Sequence, residues 1–343
     1  MKNPFPLVND ATAWKGADYA NDRSWTYTLS APEVEELAAA ARRCVSRGVE
    51  VTDIQARDFP LGSLAPTIRG WAEEINDGRG FLLVKGLPRE RFSDAEVRTM
   101  FWGIGRYLGV PVSQNSYGDM LGDVYDEGVK LGARVRGYRT NQLLRFHSDR
   151  CDMVGLLCVR QAREGGLSSL VSSTRVWNEI VTHRPEYIAP LMNGYFYVSV
   201  EEGGDVVPRR VPVYSMENGV VSCRILRNTI ETARKMGHAN YSELEEAALE
   251  YMDELVNRDD LRLDMMLGPG DMQFINNYTT LHARTEFEDY PEPERKRWMV
   301  RLWLHSFGLR RPRRAEIFKD YEGVEKTLSR ELRAAGHQPP AAS

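Results

Sequence analysis

The sequence predicts a mainly β fold with flanking helices, on three observations. From Arg139 onward, short apolar runs are separated by turn residues, the texture of an all-β sandwich or barrel. Residues 1–110 instead carry two helix-start signatures, and between them stands a single glycine-bounded apolar run. Length alone, at ~150 residues per domain, suggests two domains, yet β-barrel enzymes of this size often form one unit.

The elements follow in chain order. Ser30 with Glu33 forms a capping box ahead of an alanine-rich helix that stops at Gly48. Gly80 to Gly86 encloses a buried strand, and Ser93 with Glu96 opens a second helix that ends near Gly109-Val-Pro111. The strands expected after Arg139 run over 154–159, 168–172, 195–200, 211–215, 220–226, 272–275 and 298–304. Asn218-Gly219 marks a hairpin, and Asn240 with Glu243 caps a helix over 244–256. Residues 118–137 and 201–205 are glycine-rich and aperiodic, so they are expected to be loops suited to covering a ligand.

Composition narrows the function. With 42% hydrophobic and 27% charged residues the chain reads as globular, not disordered. Its 45 basic and 49 acidic residues sum to −4, with no basic run longer than that around Arg310 to Arg314, so no nucleic-acid partner is expected. Nothing resembles a signal peptide or an apolar stretch of ~18 residues, which leads us to expect a soluble cytoplasmic protein without a membrane partner. The four cysteines include no C-x-x-C pair and are expected to be reduced and buried. Apolar helix faces in residues 1–110 make a homo-oligomer an open expectation.

Six histidines limit any imidazole chemistry. In His147-Ser-Asp149, an extended backbone turns both side chains to one face. Composition alone yields about one such pair, so the spacing gains weight only from a third ligand downstream. His282, after the asparagine-rich segment Gly270 to Thr279, supplies one. Two histidines and one carboxylate leave three positions open on a metal, the facial arrangement suited to non-haem Fe(II) and O₂. Alternation from Arg297 to Arg301 places both on one face, where an arginine can hold a carboxylate by paired hydrogen bonds. Each residue also has a bland role: a core histidine, a turn aspartate, a surface strand arginine. His183, His238, His305 and His337 have no companions at metal spacing and are read as structural.

Taken together, His147-x-Asp149, Gly165-Gly-Leu-Ser168, the approach to His282 and Arg297-x3-Arg301 resemble the Fe(II)/2-oxoglutarate-dependent dioxygenases of the taurine dioxygenase and clavaminate synthase group. The resemblance runs from about Gly80 to Phe307 and implies a distorted double-stranded β-helix, or jelly roll. It implies one domain over 1–343: a helical and strand support with a lid (1–138), the jelly-roll core (139–307) and a C-terminal extension (308–343). By the same resemblance His147, Asp149 and His282 match the iron ligands, and Arg297 matches the arginine for the distal carboxylate of 2-oxoglutarate. Ser168 stands where relatives have a threonine on that carboxylate, and Arg301 matches a position contacting co-substrate or an anionic substrate group. Gln142, Arg145 and Tyr117 are candidate substrate neighbours; Tyr125 and Tyr138 line a pocket or anchor loops, and Asn276 and Asn277 form turns or offer hydrogen bonds near the metal.

The implied reaction consumes 2-oxoglutarate and O₂, releases succinate and CO₂, and hydroxylates, desaturates or cyclises an unactivated C–H position of a small, anionic or amino-acid-like metabolite, as in natural-product biosynthesis. Retention of Asp149 disfavours halogenation. Two other classes stay open: a non-catalytic small-molecule sensor on the same barrel, and a zinc hydrolase on the same three ligands, which leaves Arg297 and Ser168 without a purpose.

Overall fold

The computed structural model describes residues 5–115, 118–130, 137–198, 208–309 and 311. Eleven strands build two facing sheets: β1 (Thr26–Thr28), β2 (Phe81–Lys85), β3 (Gly109–Pro111), β4 (Leu121–Val124), β5 (Leu144–His147), β6 (Met153–Arg160), β7 (Ser168–Ser172), β8 (Arg262–Met265), β9 (Met272–Asn276), β10 (Thr280–Arg284) and β11 (Trp298–Ser306). The larger sheet runs β1-β2-β9-β6-β11-β3, with β4 also paired to β11, and the smaller runs β8-β7-β10-β5. Apart from the parallel β1–β2 pair, neighbours in both sheets are antiparallel. Together they form the jelly roll that the sequence predicts.

Three apolar layers hold it. Helices Ala31–Ser46, Leu64–Asn76 and Asp94–Leu108 bury their apolar stripes against the outer face of the larger sheet, meeting Leu82, Met272 and Leu302. Helices Ser173–His183, Ile188–Asn193 and Glu243–Val256 cover the smaller sheet through Phe146, Val171 and Leu281. Between the sheets lie Leu83, Val154, Leu170, Ile275 and Trp303. Alternation makes this possible: along β10, Leu281 faces the outer helices, while His282 and Arg284 line the interior cavity. Because the N-terminal helices spend their apolar faces on the sheet, Val45 is the only large exposed hydrophobic residue on them among those described. The surface basis expected for a homo-oligomer is therefore missing there.

The expected helices at 31–46 and 94–108 begin at their predicted boxes, and Gly48 adopts φ +65° just past the first. The Asn218-Gly219 hairpin joins Tyr214–Glu217 to Val220–Cys223, with positive φ at both turn residues. Other expectations shift. The strand expected over 211–215 breaks at Pro212 into Arg209–Val211 and Tyr214–Glu217, because proline has no N–H for the ladder. The strand over 220–226 stops at Cys223, and a helix, Arg227–Lys235, follows. The cap at Asn240 gives way to Ser242, whose backbone N–H donates to Glu245 while the Glu245 N–H donates to the Ser242 hydroxyl. Residues 118–137 are not wholly aperiodic, since β4 lies within them. Tyr117, residues 201–205 and most of the C-terminal extension fall outside the described residues.

Candidate metal centre and co-substrate pocket

β10 and β5 are hydrogen-bonded neighbours with His282 directly opposite His147, ring centroids 4.2 Å apart. Asp149 departs from the expected strand geometry. β5 ends at His147, and Asp149 sits in the irregular segment that follows, fixed by its backbone N–H donating to Asn277 Oδ1 at 3.0 Å. Asn277 is in turn anchored by donating to the Cys151 carbonyl, while Asn276 reaches the Ile75 carbonyl and so braces the fold instead.

The three side chains offer one ligand atom each, all within 4.8 Å of one another. Asp149 stands 4.0 Å from His147 Nε2 through Oδ1 and 3.9 Å from His282 Nε2 through Oδ2. Those separations are too long for hydrogen bonds and suit atoms that share an ion. The His147 Nδ1 lies 2.8 Å from the Arg145 carbonyl, which can only accept, so Nδ1 donates to it and Nε2 is the nitrogen left to face a metal. Burial, reinforced by the neighbouring His147, lowers His282 to about 3, which keeps its imidazole neutral. Burial pushes Asp149 upward, but Arg301, then the two histidines and the Trp303 hydrogen bond, bring it down to about 2. A carboxylate and two imidazole nitrogens are the donor set a divalent iron requires, and the residues therefore fit that ion.

A cavity of about 250 Å³ opens from this centre. Among its described lining residues Asp149 is the only acid, against Arg145, Arg150, Arg227, Arg284, Arg297 and Arg301. At one end Arg297 lies buried, its backbone N–H donating to Asp289 and its Nη1 without a partner among the described residues. Gly166 lies against it: a Cβ there would come within 3.3 Å of Arg297 Nε. Ser168, also buried, exchanges hydrogen-bonding contacts of 3.3–3.4 Å with Gln273. Arg301 does not join that end. Its Nε donates to Gln114 Oε1 at 2.8 Å, its Nη1 lies 3.6 Å from Asp149 Oδ2, and Tyr138 and Trp303 flank its guanidinium.

The other expected neighbours separate. Arg145 lines the cavity but is exposed and ion-paired to Glu231 at 2.7 Å. Gln142 is exposed and does not line the cavity; its carbonyl accepts from Arg284. Tyr138 lines the cavity, whereas the exposed Tyr125 does not. Sequence reasoning missed Arg284, Trp303, Gln114 and Gln273. Arg284 and Trp303 were within reach of the two-residue strand period that starts from His282 and Arg301; the two glutamines carried no signal.

A jelly roll that gathers two histidines and an aspartate beside buried arginines defines the class of non-haem iron oxygenases using a 2-oxo acid. The chain belongs to the taurine catabolism dioxygenase TauD, TfdA family, whose model matches residues 46–303. It is 30% identical over 312 residues to FR-33289 synthase of Streptomyces rubellomurinus, covering 89% of this chain and 91% of that protein. It is 26% identical over 308 residues to the taurine hydroxylase-like protein SAT17 of Stachybotrys chartarum, covering 86% and 79%. Among solved structures, asparagine oxygenase in complex with Fe(II), 2S,3S-3-hydroxyasparagine and succinate aligns with a TM-score of 0.66 at 18% identity, over 82% of this chain and 93% of that one. The non-heme iron oxygenase OrfP in complex with Fe and alpha-ketoglutaric acid aligns at 0.60 and 14%, over 82% and 94%. At those identities the two structures speak for the fold alone. The protein is thus an Fe(II)- and 2-oxoglutarate-dependent dioxygenase. No helix among its described residues is long and apolar enough to cross a membrane.

Proposed function

We propose that His147, Asp149 and His282 hold Fe(II), that Arg297 and Ser168 hold the distal carboxylate of 2-oxoglutarate, and that the primary substrate is a small anionic or amino-acid-like metabolite hydroxylated at an unactivated C–H bond. The carrying observation is the meeting, in one cavity, of the three donor atoms with a buried guanidinium that has no counter-ion among the described residues. Bound iron with 2-oxoglutarate supplies oxidative decarboxylation to succinate and CO₂ together with transfer of oxygen to a C–H bond.

The chain's own residues do the rest. His147, held through its Nδ1 by the Arg145 carbonyl, turns Nε2 to the metal position, burial keeps His282 neutral, and Asp149 remains ionised without needing a base. Arg297, desolvated in the wall, offers a carboxylate charge-assisted hydrogen bonds that water weakens little. Arg301, which also lines the cavity, favours an anionic group on the substrate. The names of the relatives support that reading, since asparagine oxygenase and OrfP are described with hydroxylated amino acids. We read residues 1–343 as one domain and, because its four cysteines are free and buried, place the protein in a reducing compartment such as the cytoplasm.

The test is a screen of small anionic and amino-acid substrates with Fe(II), 2-oxoglutarate and O₂, read by succinate and by product mass. His147→Ala is expected to abolish succinate formation, and Arg297→Ala to raise the 2-oxoglutarate requirement by about tenfold to a hundredfold. Parent-like yields and co-substrate dependence in both variants would overturn the site assignment.

A further inference from the structure

Arg297 is not the only buried cation at its end of the cavity. Arg284, on β10, is 6% exposed and lines the same space. Its Nε donates to the Thr285 carbonyl at 3.1 Å and its Nη2 to the Gln142 carbonyl, while its buried Nη1 has no partner among the described residues, as is also true of Arg297. The two guanidiniums share one aromatic neighbour, with centres 4.6 Å (Arg284) and 4.9 Å (Arg297) from the Phe287 ring. Neither makes an ion pair among the described residues; Asp126 and Asp289 act on Arg284 only at longer range.

Two buried like charges side by side favour an anion between them. Desolvating one cation is costly unless it is paired, and a second like charge beside it adds to the cost. Two backbone carbonyls and a ring face offset part of that. A carboxylate offers two oxygens with about four acceptor positions, enough for two guanidiniums and a hydroxyl. The register supplies the hydroxyl, because Arg284 lies directly opposite Ser168 across the β10–β7 pair. Ser168 is two residues beyond Gly166, which packs on Arg297.

Resting on the proposed placement of 2-oxoglutarate, we infer that Arg284 is a second binding residue for its distal carboxylate, so that the anion is held between two buried arginines and Ser168. A purely structural Arg284 would tie β10 to the segment before β5 through Gln142 and serve any 2-oxo acid alike. A binding Arg284 serves only acids that carry the distal carboxylate.

That difference is the test. The Fe(II)-loaded protein is titrated anaerobically with 2-oxoglutarate and with 2-oxopentanoate, the same chain without the distal carboxylate, following the visible charge-transfer band. The parent should prefer 2-oxoglutarate strongly. Arg284→Gln should lose about tenfold to a hundredfold of that preference, with 2-oxopentanoate binding unchanged within about threefold. Arg284→Lys keeps the charge with fewer directed donors and should fall between the two; it carries the test alone if Arg284→Gln does not fold. Unchanged preference in Arg284→Gln, or equal weakening of both ligands, overturns the inference. With Arg297→Gln as the control, loss of preference there but not at position 284 sinks this inference alone, whereas a parent that binds both acids equally sinks the underlying placement as well.

Discussion

Trp303 Nε1 donates a hydrogen bond to Asp149 Oδ2 at 2.9 Å, joining the middle of β11 to the segment that follows β5. The indole thereby occupies one carboxylate oxygen and orients the other toward His147, whose Nε2 faces Oδ1. Such outer partners of metal ligands typically contribute ten- to a hundredfold in metal affinity. Trp303→Phe keeps an aromatic ring beside Arg301 and removes the donor, so the Fe(II) dissociation constant should rise by about that factor while the fold stays intact. Equilibrium dialysis of the reduced, anaerobic protein measures it, and parent-like affinity would remove Trp303 from the metal site.

Gly166 separates the turn after Gly165 from the start of β7, at φ +74°. An added Cβ would meet Arg297 Nε at 3.3 Å, tight enough that the guanidinium must give way. Gly166→Ala should therefore raise the KM for 2-oxoglutarate roughly tenfold with little change in iron affinity, and cost about 1 kcal/mol of stability through its left-handed backbone. Steady-state kinetics against 2-oxoglutarate, paired with thermal unfolding, separates the two effects.

The strands of the core were legible because their apolar runs are long and bounded by turns, as at Met153–Arg160 and Trp298–Ser306. The helix Leu64–Asn76 was hidden by Pro66 and Gly70, which read as breakers although proline fits a first helical turn. The cap before Glu243 was ambiguous because Asn240 and Ser242 each precede a glutamate by three residues; geometry selects Ser242. At the site, His147, Asp149, His282 and Arg297 could be picked by residue type and order. What places Asp149 could not, since Asn277 lies 128 residues downstream and only the fold brings it there. Gln114 and Gln273 escaped for the same reason: their contacts are long-range and uncharged glutamines have no spacing rule.

Glu179 carries a pH-dependent part of the stability away from the cavity. Its buried carboxylate pairs with Arg175 and, at 2.7 Å, with Arg258, tying Ser173–His183 to the end of Glu243–Val256. Burial raises its pKa, but the hydrogen bonds from Arg258 and Arg175 prevail and leave it below 4.5. The folded state thus binds fewer protons than the unfolded one below that value, so this contribution is complete above pH 4.5 and is lost as pH falls through the folded pKa. Glu179→Gln should be less stable than the parent at pH 7 by about 1–3 kcal/mol, and the gap should narrow in denaturant titrations run below pH 4.5. A gap constant with pH would show that the charge pairs contribute nothing.

Arg301 bears on the acid limit of iron loading. Its Nη1 lies 3.6 Å from Asp149 Oδ2, and after burial, which raises the Asp149 pKa, it is the largest influence on that group and the main reason it stands near 2. Replacing the guanidinium by an amide in Arg301→Gln leaves the burial effect and removes the opposing charge, so the Asp149 pKa rises. Iron binds the ionised carboxylate, and protons therefore compete at higher pH in the variant. The pH midpoint for Fe(II) loading on the acid side should move upward by about one unit or more, while the preference for 2-oxoglutarate over 2-oxopentanoate stays as in the parent because Arg301 is directed to Gln114 and Asp149, away from Arg297. Anaerobic Fe(II) titrations across pH 4–8 with both 2-oxo acids check each half. A fixed midpoint would show that Arg301 does not set the charge of Asp149, and a lost preference would place it on the co-substrate instead.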